Sequence, residues 1–184
     1  MTRVTIDAKG RAHEEARALV ERLEDCATRW PAWRRLEELG AAAAPAVRDG
    51  LRHGHWQVRK WCAAFLDHHA DPEALPELLP LLHDPKSDVR LWAVHSLSCD
   101  RCKVDQNPID FVPHLIERIE RDESIRVRRM AAAMLATGRP DLRSARLFTR
   151  ILATESDRKL RKHAEWGLAR CREIGLAPAD ALPA

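Results

Sequence analysis

One nine-residue pattern occurs four times in the chain, and it constrains the fold more than any other feature of the sequence. The copies begin at Val58, Val89, Val127 and Leu160, so the steps between them are 31, 38 and 33 residues. In each copy an aliphatic residue is followed by Arg, a small residue stands at the fifth place, and Leu stands at the ninth. Self-similarity at such a period is typical of stacked helical repeats.

The composition favours helices over strands. Apolar residues make up 45% of the 184 residues, which is enough for a core, and charged residues make up 32%, as thin stacked helices with much surface would require. Ala, Leu, Arg and Glu dominate, and no alternating strand pattern is present. We expect an all-α fold, a right-handed α-solenoid of about four to five helix–turn–helix repeats.

Proline, glycine and capping residues divide the chain into helices. Pro31 is expected to end the first helix, and Asp71 followed by Pro72 is typical of a helix start. We expect one domain over residues 1–175, made of a degenerate capping pair at 11–40 and four repeats at 41–173, followed by a flexible tail at 176–184. The predicted helices are 11–29, 32–39, 43–53, 55–69, 71–83, 87–98, 109–121, 125–137, 142–154 and 157–173.

Five positions of the pattern share one helical face, which predicts the core of each repeat. In the first copy they hold Val58, Trp61, Cys62, Phe65 and Leu66. The fifth place is always Cys or Ala, as expected where two helices approach closely. The column at the fourth place is interpreted as core filling and consists of Trp61, Trp92, Met130 and His163.

The second place of every copy is Arg, and we interpret this column as structural. A first-turn arginine beside an acid of the preceding turn would make an ion pair between repeats. Arg59 has no acid in the turn before it, so its partner is left open. The arginines are Arg59, Arg90, Arg128 and Arg161, and the candidate acids are Asp84 or Asp88, Asp122 or Glu123, and Glu155 or Asp157.

The pattern Val-Arg-x-x-Ala-x-x-x-Leu, with Asp-Pro before it and a proline-containing Leu-x-x-Leu-Leu helix at 75–82, resembles HEAT repeats. It looks most like the short bacterial HEAT-like kind grouped with phycobilin lyases. The resemblance covers about residues 30–173. It implies a scaffold that binds proteins, with the first helix of each pair on the convex side and the patterned helices lining the concave side.

That resemblance places positions two before the start, and two and six after it, in the concave groove. Residues 118–172 hold 15 Arg and Lys against 7 Asp and Glu, while the rest of the chain holds 16 against 21. The basic half favours an acidic protein partner, although Arg also serves simply as a surface helix former. Nucleic acid is the alternative, because cations beside an aromatic suit phosphates and a stacked base. The expected groove residues are Trp56, Lys60, Leu91, His95, Arg129, Arg158, Lys162 and Trp166.

A second candidate site follows the second copy of the pattern. His95, Cys99 and Cys102 would share one helical face, and Cys-x-x-Cys with a nearby His has the spacing of zinc ligands. Two alternatives stay open: reduced cysteines at a helix end with no cofactor, and a redox pair, although thioredoxin-like chemistry uses a strand–turn–helix. A fourth ligand would come from a neighbouring turn, with three candidates: His68, His69 and His114.

Enzymatic function is not expected from the motifs. No nucleophile triad, carboxylate pair or phosphate loop is present, and the DNA glycosylases and di-iron hydroxylases built from HEAT-like repeats are disfavoured because their catalytic residues are not matched. A lyase or chaperone-like helper of a cofactor-bearing protein remains an alternative through the family resemblance. The charged N-terminus and an apolar run no longer than 41–47 predict no membrane segment, and five cysteines favour a reducing cytoplasm.

Overall fold

The computed structural model describes residues 8–99, 102 and 109–176, and these residues form helices joined by turns, with no strand among them. The prediction of an all-α repeat fold is confirmed. The tail predicted for 176–184 lies outside the described residues apart from its first residue. The helices are α1 (Ala8–Glu21), α2 (Cys26–Leu39), α3 (Ala44–Gly50), α4 (Trp56–His68), α5 (Leu75–Leu78), α6 (Ser87–Ser98), α7 (Val112–Arg121), α8 (Ile125–Thr137), α9 (Leu142–Thr154) and α10 (Arg158–Glu173).

The four copies of the repeated pattern form α4, α6, α8 and α10, which we call the signature helices. Each signature helix packs beside the next one, so together they form one continuous layer, the signature layer. The helices α3, α7 and α9, and the short segment around α5, each precede a signature helix and lie in a second layer. This arrangement is a solenoid of stacked helix pairs in which each repeat contacts mainly its neighbours.

The first helix boundary differs from the prediction. The chain leaves α1 after Glu21 and starts α2 at Cys26, and the Asp25 carboxylate caps α2 by accepting a 2.9 Å hydrogen bond from the amide of Ala27. Pro31 lies inside α2 instead of ending the first helix. It is tolerated because it stands in the second turn, where its missing N–H costs one hydrogen bond next to the capped first turn.

The segment predicted as one helix over 71–83 is divided into three short pieces. A 3₁₀ turn at Pro72–Ala74 leads into α5, and a second 3₁₀ turn follows at Leu79–His83. Pro72, Pro76 and Pro80 recur every fourth residue, and each removes one backbone donor, so an uninterrupted α-helical ladder cannot form.

The predicted core face of the signature helices is mostly correct. Val58, Cys62, Phe65 and Leu66 are all buried, and so are the equivalent positions of the later copies apart from Met134, which is partly buried. The column predicted as core filling is less enclosed: Trp61, Trp92 and Met130 are partly buried and pack against the core from its edge, and His163 is also only partly buried.

The repeated arginines pair with acids, but the predicted register was wrong by one repeat. Arg59 binds Asp84 through Nε at 2.7 Å and Nη2 at 3.1 Å, although Asp84 belongs to the turn before the following signature helix. Arg90 in turn binds Asp122 at 2.8 and 2.9 Å, and its guanidinium also reaches Glu123 at 3.2 Å. Each arginine therefore reaches forward to the next repeat.

The turn before each arginine contributes carbonyl groups and not carboxylates. Arg90 Nη1 donates to the carbonyl of Asp84 at 2.8 Å, and Arg59 Nη1 donates to the carbonyl of His53 at the same distance. Arg128 donates to the carbonyl of Ile119 and pairs with Glu155 of the next repeat. The planar guanidinium has two edges that donate hydrogen bonds, so one edge holds its own turn and the other holds the next repeat. We call these residues the arginine ladder.

No helix in the described part of the chain combines the length and the apolar character that crossing a lipid bilayer demands.

The ladder pair at the middle of the array should dominate the others in stability. The side chains of Arg90 and Asp122 are 6% and 0% exposed. Arg90→Ala would leave the buried Asp122 carboxylate with the Ser124 amide and the more distant Arg118, and should lower the free energy of unfolding by about 3 kcal/mol. Arg126, 66% exposed and paired with Asp88, is the control, and Arg126→Ala should cost under about 1 kcal/mol. Denaturant unfolding measures both, and equal losses would contradict this account.

The contact between α9 and α10 depends on Gly167. A Cβ atom there would lie 2.4 Å from Cε2 of the buried Phe148. Gly167→Ala should therefore destabilise the protein, because overpacking of about 1–3 kcal/mol exceeds the gain of about 1 kcal/mol in helix propensity. Gly54→Ala, with nothing within 4 Å of the new methyl group, is the control and should change the unfolding midpoint little. A Gly167→Ala variant as stable as the wild type would refute the tight contact.

Candidate functional site

The predicted groove residues of the first two signature helices lie on the outer surface of the signature layer, but most of them contact other side chains of the same chain. Trp56, Lys60 and Leu91 are all half-buried. The Lys60 ammonium lies 5.4 Å from the centre of the Trp61 ring, a cation–π contact within the chain. Leu91 packs against the core. This end of the layer is therefore mainly aromatic and apolar at its surface.

Two tryptophans of α2 extend that aromatic surface. The rings of Trp33 and Trp61 are 4.9 Å apart, and those of Trp30 and Trp61 are 6.5 Å apart. Trp33 is almost buried, whereas Trp30 is 59% exposed. Sequence reasoning assigned no role to Trp30, because its exposure depends on how α2 packs beside α4.

Arg129, a predicted groove cation, is bound within the protein. Its Nε lies 3.0 Å from Oδ1 of Asp157, and its Nη2 pairs with the other oxygen of the same carboxylate. Asp157 also caps α10 by accepting a 2.9 Å hydrogen bond from the amide of Leu160. The hydrogen bond from Arg129 holds the pKa of Asp157 well below its ordinary value. Arg129 thus fixes the start of α10 and has little capacity left for a partner.

The cations of α10 have a different environment. Arg158 and Lys162 stand one turn apart, are exposed, and contact no acid among the described residues. Trp166, one turn further, is 45% exposed, and the Arg170 guanidinium lies 5.8 Å from the centre of its ring. Arg158, Lys162 and Trp166, which were all predicted groove residues, are brought together on one face of α10.

Arg161 adds the end of the arginine ladder to this face. Its Nη1 donates to the carbonyls of Leu152 and Glu155 at 2.6 and 3.2 Å, as the other ladder arginines bind their own turns. Among the described residues no following repeat supplies a carboxylate to its other edge. We call Arg158, Arg161, Lys162 and Trp166 the α10 stripe, with Glu165 as the one acid at the same level of the helix.

A surface cleft of about 350 Å³ lies between the start of α7 and the end of α8, but its charges cancel. One of its two cations, Arg143, binds Asp110 across the cleft and Asp141 at the start of α9. These contacts lower the pKa of both carboxyl groups and raise that of Arg143. Both carboxylates of the cleft are therefore held by Arg143, and Arg139 is left as its charged group without an acidic partner among the described residues.

The second candidate site, around Cys99, is assembled by the packing of α6 against α4. Cys99 Sγ lies 3.0 Å from Cys102 Sγ, and His95 Nδ1 lies 2.9 Å from Oδ1 of Asp67. One donor atom from each of these four residues falls within 4.8 Å of every other. Burial, together with hydrogen bonds to Cys99 and Asp67, raises the pKa of Cys102 to about 12. The sequence prediction that His95, Cys99 and Cys102 share one place is consistent with this geometry.

The fourth member of this cluster was missed. Asp67 takes the place for which three histidines had been considered, and His68 and His69 instead lie 3.5 and 3.2 Å from Glu37. Asp67 stands one residue before the end of α4 and is only 1% exposed. A carboxylate at a helix end normally faces water, so its burial could be found only from the way the two signature helices pack.

A comparison with protein families agrees with this architecture. Residues 16–98, which span α1 to α6, match the family model described as HEAT repeats. These residues of the chain form HEAT repeats. The remaining helices α7 to α10 continue the same pairing beyond the matched residues. No curated protein matches the sequence. HEAT repeats commonly form scaffolds for binding other proteins, and the resemblance to phycobilin lyases in particular stays a prediction.

The Arg129–Asp157 pair should make stability depend on acid pH. Because the pKa of the Asp157 carboxyl is lowered in the folded protein, its charge stabilises the fold at pH values above its ordinary pKa of 3.8. This stabilisation is lost as the pH falls through the lowered pKa. Asp157→Asn keeps the helix cap and removes only the charge. Its melting temperature should lie below that of the wild type at pH of about 6, and the difference should narrow as the pH falls below the ordinary pKa of 3.8 toward the lowered value. A difference that is constant over this range would contradict the pairing.

Proposed function

We propose that this HEAT-repeat protein is a non-enzymatic scaffold that binds an acidic segment of a protein partner along the α10 stripe, at the C-terminal end of the signature layer. The observation that carries the proposal is the unmatched end of the arginine ladder. Three ladder arginines each receive a carboxylate from the next repeat, whereas Arg161 receives none from the described residues.

The neighbouring cations strengthen this preference. The exposed Arg126 of α8, by contrast, is paired with Asp88 of the preceding repeat. Arg158 and Lys162 contact no acid in the described part of the chain. They stand three and four residues from Arg161 and Trp166, so their charges lie on one surface of α10. Carboxylates of a partner would complete the pattern that Asp84, Asp122 and Glu155 establish within the chain.

Trp166 gives this surface an anchor. A half-exposed tryptophan next to cations has the features of an interface hot spot. A partner can cover much of its apolar surface without burying an unpaired charge. The rest of the partner would lie along the face of the array that is expected to be concave, where it would contact Leu91, Lys60 and Trp56. The predicted cation Arg129 is left out of the binding surface because Asp157 occupies it.

Nucleic acid is the second candidate, and the same tryptophan favours it. An indole ring beside arginines can stack a base while the cations bind phosphates. The two candidates differ in chemistry, since a protein partner would survive nuclease treatment and a single-stranded nucleic acid would not. The lyase-like helper remains a prediction that rests on the resemblance alone.

Affinity capture with charge-reversal variants tests the proposal. Wild type, Arg158→Glu/Lys162→Glu and the control Arg121→Glu/Arg146→Glu would be immobilised and exposed to lysate with and without nuclease. Arg121 and Arg146 are exposed cations on helices of the second layer, so the control makes the same change of net charge elsewhere. We expect acidic proteins that the wild type and the control retain, that elute with salt, and that the stripe variant loses.

Two results would overturn the proposal. If the stripe variant retained the same proteins as the wild type, the α10 stripe would not be the binding surface. If nuclease abolished capture and a labelled single-stranded oligonucleotide bound the wild type but not Trp166→Ala, the nucleic-acid alternative would replace it. Far-UV circular dichroism of each variant verifies that the helices are retained.

A further inference from the structure

The cluster around Cys99 brings four metal-binding groups to one point from three parts of the chain. Asp67 comes from the last turn of α4, His95 from the last turn of α6, Cys99 from the residue that ends α6, and Cys102 from the connection after it. Their donor atoms all lie within 4.8 Å of one another. Four donors around one centre are what a tetrahedral ion requires.

The chemistry of the donors selects the ion. Two sulfurs, one imidazole nitrogen and one carboxylate oxygen are each established ligands of Zn²⁺, whereas Mg²⁺ and Ca²⁺ require oxygen ligands throughout. Iron–sulfur clusters are held mainly by four cysteines, which this place does not offer. The mixed soft and borderline set therefore points to zinc among the common ions.

The distances fit with small adjustments. Zinc–sulfur bonds of about 2.3 Å in a tetrahedron separate two sulfurs by about 3.8 Å, and the thiols of Cys99 and Cys102 lie 3.0 Å apart. Zinc bonds of about 2.0 Å to nitrogen and oxygen separate those atoms by about 3.3 Å, and His95 Nδ1 lies 2.9 Å from Asp67 Oδ1. Each pair must widen by under about 1 Å, a shift that side-chain rotation supplies.

We propose that Asp67, His95, Cys99 and Cys102 bind one Zn²⁺ ion in a closed structural site that fastens the end of α6, and the connection after it, to the end of α4. Each thiol would release its proton to solvent as its sulfur binds the ion. Because all four positions are taken by the protein, no open position is left for substrate water, and the ion stabilises without catalysing.

Access and position support the site. The His95 side chain is 20% exposed and Cys102 is half-buried, so an ion can enter from solvent, while Asp67 and Cys99 are buried and form the floor. The site stands where the longest connection interrupts the repeat period, at the step of 38 residues. A metal here would fasten this longer connection, whereas short turns join the other repeats. This inference is independent of partner binding at α10.

Metal analysis of the full-length chain tests the site. Protein without a histidine tag, purified under reducing conditions and dialysed with Zn²⁺, should contain about one equivalent of zinc. Cys99→Ser/Cys102→Ser and Asp67→Ala should each lose it, whereas Cys26→Ser, which alters an exposed cysteine outside the cluster, should retain it. Saturating zinc should raise the wild-type melting temperature by roughly 5–10 °C and leave that of the double variant unchanged.

Cobalt substitution gives a readout that does not depend on stability. Co²⁺ bound in this site should show intense tetrahedral visible bands together with a thiolate-to-metal charge-transfer band, and Asp67→Ala should weaken or shift them. Wild-type protein with no more bound zinc than the cysteine double variant would overturn the proposal. So would a Cys99–Cys102 disulfide whose reduction left the protein unable to bind zinc, since the pair would then be a redox couple.

Discussion

A forward-reaching arginine ladder determines how each repeat of this protein sits on the next. Arg90 and Asp122 form the most enclosed rung, with both side chains almost completely removed from water. Burying two charges is favourable only when their hydrogen bonds are satisfied, and here the carbonyl of Asp84 and the amide of Ser124 complete the rung. The hydrogen bonds that Arg90 donates to Asp122 raise the pKa of Arg90 above its ordinary value, so the guanidinium stays charged. Apolar packing between helices tolerates small shifts of one repeat against the next, whereas each arginine–carboxylate pair forms in only one alignment of the two repeats.

The same ladder accounts for the difference between the two ends of the signature layer. Within the array every rung uses the acid of the following turn, so charges are neutralised repeat by repeat. At α10 the described chain supplies no further acid, and cations remain exposed beside Trp166. At the other end the exposed Trp30 and the half-buried Trp61 form an aromatic surface over Trp33. The surface thus changes from aromatic to basic along the layer, and this gradient would orient a partner bound to it.

The repeated pattern was sufficient to predict the fold, since α6, α8 and α9 begin and end where their periodicity and flanking turn residues placed them. Contacts between repeats were harder to predict. The pattern shows that an arginine and an acid recur, but it does not show whether the side chain turns back or reaches forward. Asp67 illustrates the same limit at the metal cluster, because its neighbours come from a helix about 30 residues away. Pro31 was misplaced because a proline is tolerated early in a capped helix.

A double-mutant cycle on Arg90 tests the ladder most directly. The coupling energy between Arg90 and Asp122 would be compared with that between Arg90 and Asp88, the acid of its own first turn, by denaturant unfolding of the single and double alanine variants. A forward-reaching ladder predicts a coupling energy of about 2–3 kcal/mol with Asp122 and one within about 0.5 kcal/mol of zero with Asp88. A larger coupling with Asp88 would mean that the arginines hold their own turns, and the forward ladder, with its unmatched end at Arg161, would be wrong.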